Sequence, residues 1–294
     1  MQDESRKQTM RVRTLAIAVA LLMASIGTPV RTQTRDLSVQ EIAQLFASPS
    51  LAVRMEAASR TSELMEAGRS RELLGDANFQ NALFDLLKTE NADHVRRFQD
   101  EQFGLTIGEG WSMAYAGILG LAMDVVPLLT PTRQRDWFKE LVRGSYNDDS
   151  TFGVWLAEYG DQIVDPLLDL TKTGAIIQQR RNAYALLTEM VGLTAFKSLA
   201  SQPYPTSLSF ANRQRALKAV DEGLHHQDDS VIRTIVRVLS GHASPETLTI
   251  LEHFDGESRG QPSYARKSDS YLTLQEYVER AIAKVQTGLA TDRR

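Results

Sequence analysis

The chain holds 294 residues, 42% of them hydrophobic and 24% charged, with 18 glycines and 9 prolines. That is enough apolar material for one large domain or two ordinary ones, and it excludes collagen-like, low-complexity and largely disordered chains. A formal charge of -4 disfavours a nucleic-acid binder that works by neutralising phosphates, and zero cysteines remove disulfides, thiolate metal sites, cysteine nucleophiles and a lipidated cysteine.

The N-terminus is the first informative segment. Arg6, Lys7, Arg11 and Arg13 lead into Thr14–Ile26, an uncharged, mostly apolar run of 13 residues. Ser25 and Gly27 then stand at -3 and -1 of a cut before Thr28, the order of a secretory signal peptide. The run is shorter than the roughly 20 residues that span a bilayer as a helix. Residues 1–27 are therefore expected to be a signal peptide, with an uncleaved anchor as the alternative and Met10 as a second start. Loss of Asp3, Glu4 and the four basic residues would leave 29 basic against 35 acidic residues. Residues 28–36 read as a short linker, and 291–294 as a disordered tail.

Between them, 37–290 reads as helix after helix. Val53, Ala57, Thr61 and Leu64 recur at helical spacing, followed by Trp137, Phe138, Leu141 and Val142, and by Val231, Ile232, Ile235, Val236 and Leu239. The last stripe, Leu274, Tyr277, Val278, Ala281, Ile282, Val285 and Leu289, is the cleanest. Only Gly104–Gly108 hints at a strand. The sequence predicts an all-α fold.

Repetition adds an architecture. Pro127-Leu128-Leu129 and Pro166-Leu167-Leu168 lie 39 residues apart. Ser48-Pro49-Ser50 precedes Val53-Arg54 and Ala57-Ala58, while Asp228-Asp229-Ser230 precedes Val231-Ile232-Arg233. In each case a short polar residue suits a helix N-cap, and an arginine one turn in suits a reach back to the turn. The first of these stretches resembles a HEAT repeat, as do Pro166–Leu168 followed by Arg180-Arg181 and Tyr184, and the stretch 229–239. The resemblance implies an α-solenoid of about five or six helix pairs, with Arg54, Arg181, Asp229 and Arg233 as structural repeat positions. It departs from the pattern in two places: a glycine-punctuated bridge at 103–110, and 201–210 with Pro203 and Pro205.

Chemistry is sparse. Gly110-Trp111-Ser112-Met113-Ala114 approximates a nucleophile elbow, which needs a strand feeding a tight turn; a hydrolase built on Ser112 is the alternative reading. His225, His226, Asp228 and Asp229 are the densest metal-competent group, yet they equally suit a helix C-terminus followed by a cap. Asn147-Asp148-Asp149-Ser150 lacks the spaced ligands of a calcium loop. No metal or other cofactor is expected. Trp111, Tyr115, Trp137 and Trp155 gather with further aromatics in 111–159, either as core or as a partner-binding patch. The polar stretch 256–270 reads as a mobile connector. The HEAT resemblance implies a scaffold that binds an unidentified protein partner, and the N-terminal pattern predicts that it is periplasmic or secreted. Together these features predict no nucleic acid and no membrane span unless the signal stays uncut.

Overall fold

In the computed structural model the described residues are 37–100, 109–144, 151–191, 208–265 and 272–291. They form an all-α fold, with no strand among them. The segments read as signal peptide and linker, the hinted strand at 104–108, the acidic stretch 147–150 and residues 292–294 of the expected tail lie outside the described residues, while Thr291 ends the last helix. The chain divides into two compact units, Met1–Thr130 and Pro131–Arg294.

In the first unit, α1 (Val39–Phe46) opens with a capping box. Glu41 N–H donates to Ser38 Oγ at 3.2 Å, and Ser38 N–H donates to Glu41 Oε2 at 2.9 Å, so two orphan amides are satisfied at once. Ile42 and Phe46 are the buried face of α1, and the Phe46 ring sits 6.0 Å from Phe79 on α4 (Ala77–Asp100). Helix α2 (Leu51–Leu64) buries Arg54, Ala57, Ala58 and Thr61, a face rotated away from Val53 and Leu64 towards smaller residues. The rotation is possible because Arg54 is fully paired. Its guanidinium donates to Glu90 at 2.5 Å, to Asp93 at 3.1 Å, and to the carbonyls of Ser48 and Pro49. The arginine thus reaches back to its own turn and across to α4.

A π-helical segment, Met65–Arg69, kinks the chain at Gly68, whose φ of 97° lies in the left-handed region that favours glycine. The short α3 (Ser70–Gly75) follows, and Asp76 then receives the Asn78 and Phe79 amides at the start of α4. Helix α5 (Glu109–Val125) packs on α2 and α4. It ends in a 3₁₀ turn, Val126–Leu128.

The second unit runs through α6 (Pro131–Gly144), α7 (Thr151–Ala157), α8 (Asp161–Thr173) and α9 (Ile177–Val191). It continues through α10 (Phe210–Leu224), α11 (Asp229–Leu239), α12 (Pro245–Ser258) and α13 (Leu274–Thr291). The predicted stripes of α6 and α11 are buried in full, and that of α13 at Leu274, Val278, Ala281 and Val285. Sequence neighbours α8 and α9, α10 and α11, and α12 and α13 pack together. So do α6 with α8, α8 with α10, α9 with α11, and α11 with α13.

Helix α9 is the centre of this unit. It touches α6, α7, α8, α10 and α11, and every residue from Asn182 to Val191 is buried. Glu189 belongs to that run because His242 Nε2, also buried, lies 2.7 Å from its carboxylate. Gly223 on α10 permits the close approach of three helices. A Cβ there would fall 2.5 Å from Ile235 Cδ1 and 2.7 Å from ring carbons of Tyr184. At the other end, Asp161 joins the starts of α8 and α10 by accepting the Ser209 N–H at 2.9 Å. Hydrogen bonds from the Asn212 side chain and from that amide hold its carboxyl below the usual carboxylate range.

The arginines of this unit bridge helices. Arg181 Nε donates to Thr234 Oγ1 at 3.1 Å, tying α9 to α11. Arg233 reaches forward in the chain. It donates to the Leu272 carbonyl at 3.0 Å and lies over the Tyr277 ring, tying α11 to the start of α13. Loss of such a charged hydrogen bond costs about 1–2 kcal/mol. Arg233→Ala is therefore expected to lower the urea midpoint clearly, and an unchanged midpoint would remove this bridging role. The residue that caps α11 is Asp228, which accepts the Ser230 N–H at 2.8 Å; Asp229 is the first helical residue.

Two sequence likenesses separate in space. Pro166 lies inside α8 beside a buried Leu167, whereas Pro127 lies in the 3₁₀ turn that ends α5, beside an exposed Leu128. The described part of the connector after α12, residues 259–265, is also held more firmly than its composition suggests. Tyr264 is buried, its hydroxyl donates to Asp255 at 2.8 Å, and its carbonyl accepts the Gln275 N–H. Burial first, then the hydrogen bond to Asp255, pushes the Tyr264 phenol well above its ordinary value.

Candidate functional site

The concavity with the most chemistry lies within the second unit, between α10 and α12. Both helices begin with a serine cap: Ser209 accepts the Asn212 N–H, and Ser244 accepts the Thr247 N–H at 3.1 Å ahead of Pro245. Near these starts, Arg213 holds both oxygens of Glu246, at 2.9 and 2.8 Å. At the far end, the His225 and Phe254 rings meet edge to face at 6.0 Å. The helices are pinned at both ends and part between them.

The gap is a groove of about 170 Å³. Leu217, Val220, Leu224, Ile250 and Phe254 line its apolar part, and Asp221, His225, His253 and Glu257 supply the polar part. The amphipathic spacing of the two helices brings these residues together, with Leu217, Val220, Asp221 and Leu224 on α10 facing Ile250, His253, Phe254 and Glu257 on α12. Glu257 stands between two imidazoles. Its Oε2 lies 3.4 Å from His225 Nε2, and its Oε1 lies 3.4 Å from His253 Nε2.

The histidine and aspartate cluster singled out from the sequence divides here. His226 Nδ1 accepts the Asp228 N–H at 3.0 Å and its ring packs near Tyr184, while His225 turns towards Glu257. Among the described residues no group of three or more His, Asp or Glu side chains is arranged to hold a metal ion. No helix among them is long and apolar enough to cross a membrane.

The four aromatic candidates are distributed over both units. Trp137 and Trp155 are buried in the second, with 1% and 7% of their surface exposed. Trp155 meets Tyr159 edge to face at 5.0 Å, and Tyr159 packs on Phe138 at 4.7 Å, so these rings form one aromatic core cluster. Trp111 and Tyr115 fall in α5 of the first unit, and their side chains lie outside the described residues. Ser112 is in the same helix, three residues after its first residue Glu109. Sequence reasoning passed over Glu257 and Phe254, which carry the groove's floor and rim. The signal available was the i, i+4 pair His253 and Glu257 at the end of α12.

No protein-family model, curated protein or solved structure matches this chain.

Proposed function

We propose that the chain is an exported, HEAT-like helical scaffold that acts by binding a partner protein. The observation that carries this reading is the order of contacts in the second unit. Helix pairs α8/α9, α10/α11 and α12/α13 follow one another, with first helix α8 meeting first helix α10 and second helices α9, α11 and α13 meeting in turn. Such contacts between successive pairs support an α-solenoid, in which each pair covers its apolar face with the next. The repeat-like positions of Arg54, Arg181 and Arg233, each bridging helices, agree with it. The exposed groove between α10 and α12 supplies a contact surface, and the basic lead with its short apolar run supplies the route of export.

The test is chemical crosslinking of the full chain in an envelope extract, together with N-terminal sequencing of the native protein. A protein partner in constant stoichiometry and a start within a few residues of Thr28 are the expected results. An intact chain in the cytosol would end the export reading. Absence of any crosslinked partner would end the scaffold reading. A membrane-bound chain beginning at Met1 or Met10 would replace the soluble form by an anchored one.

A further inference from the structure

The polar side of the α10/α12 groove is rich in acceptors and poor in donors. Among the described residues, Asp221 and Glu257 meet no lysine or arginine, whereas nearby carboxylates do: Glu222 has Lys218, and Glu246 has Arg213. His225 Nδ1 lies 2.9 Å from the Asp221 carbonyl, so Nδ1 carries a proton and donates it. Beside the two carboxylates the groove offers only imidazoles, with His225 Nε2 and His253 Nε2 each 3.4 Å from Glu257. A group with several donors and a fixed positive charge would complement both carboxylates.

Size decides what kind of group that is. Pockets that enclose a whole small molecule run to roughly 300–1,000 Å³. A cavity of roughly 150 Å³ holds something the size of benzene. At about 170 Å³ the groove fits a single long side chain. Its apolar lining suits a methylene stem.

We propose that the groove between α10 and α12 is an anchor pocket for one basic side chain, arginine or lysine, of a partner polypeptide. The stem lies along Leu217, Ile250 and Phe254, and the head donates to Asp221 and Glu257. This deepens the protein-binding reading and rests on it.

The experiment is selection of random linear peptides displayed on phage against the full chain. Enriched peptides are then titrated by fluorescence anisotropy into wild type, D221K/E257K and, as a control on the same helix, E222K. Enriched sequences are expected to share an arginine or lysine beside an aliphatic residue. Replacing that basic residue by alanine should weaken binding at least tenfold, as should D221K/E257K, while E222K should leave it unchanged. Asp221 and Glu257 are both exposed, so the charge reversals should not unfold the chain; circular dichroism checks this. Should they do so, D221N/E257Q takes their place with an expected loss of at least threefold. Peptides without a basic residue, peptides indifferent to the variants, or no enriched peptide would each overturn the anchor pocket. The scaffold reading stands or falls separately, on the crosslinking result.

Discussion

Arg54→Ala is expected to destabilise the first unit by about 3–5 kcal/mol, the usual cost of removing one partner from a buried ion pair. Arg54 and Glu90 are 3% and 1% exposed, and their contact is 2.5 Å. Without the guanidinium, the Glu90 carboxylate keeps its burial but loses its arginine, and the carbonyls of Ser48 and Pro49 lose a donor. The α1–α2 turn would then separate from α4. Arg60 and Glu56 provide the contrast on the same helix. Their contact is nearly as short, 2.6 Å, but they are 30% and 61% exposed, and an exposed i, i+4 pair contributes only about 0.3–0.5 kcal/mol. Burial, not distance, separates the two cases.

Urea unfolding followed by circular dichroism should therefore show a large midpoint shift for Arg54→Ala and almost none for Arg60→Ala. Arg54→Lys should fall between them, because one ammonium cannot serve two carboxylates and two carbonyls in the same geometry. Replacing both members, as R54M/E90L, should recover part of the loss, since no uncompensated charge is then left inside. Equal shifts for Arg54→Ala and Arg60→Ala would show that the buried network does not hold the unit together.

Legibility from sequence followed the source of each residue's burial. Helices α6, α11 and α13 bury apolar residues at three- and four-residue spacing, so their faces could be read directly. Helix α9 could not, because its buried run includes Asn182, Thr188 and Glu189, polar residues that no apolar periodicity places inside. Glu189 is inside only because His242 arrives from the turn after α11. The arginine of α2 was legible as a turn residue, but its pairing with Glu90 was not, since nothing local marks a carboxylate on α4 as its partner. The groove was hidden for the same reason: its residues are brought together by the packing of α10 against α12, while the sequence set His225 beside His226 and Asp228. Proline likeness misled in the opposite direction. Pro127 and Pro166 share a tripeptide pattern, yet one ends a helix and the other lies inside one.

Trp137→Ala should lower the stability of the second unit by about 3–5 kcal/mol, the range for truncating a large buried aromatic. Trp137 is 1% exposed on α6, which packs on both α8 and α9, so the lost volume opens beside the central helix of the unit. Trp137→Phe retains most of the apolar surface and should cost considerably less. The pair of variants also separates two roles that an aromatic cluster in the sequence leaves open. A core tryptophan lowers the urea midpoint and leaves partner affinity intact wherever the variant is still folded. A contact tryptophan does the reverse, with an unchanged midpoint and a loss of binding of about 2 kcal/mol or more, as at interface hot spots. Acrylamide quenching gives an independent check, because an indole with so little exposed surface should be shielded until the second unit unfolds. A stable Trp137→Ala chain with weakened partner binding would move this residue from the core to the interface, and the packing assigned to α6 would have to change with it.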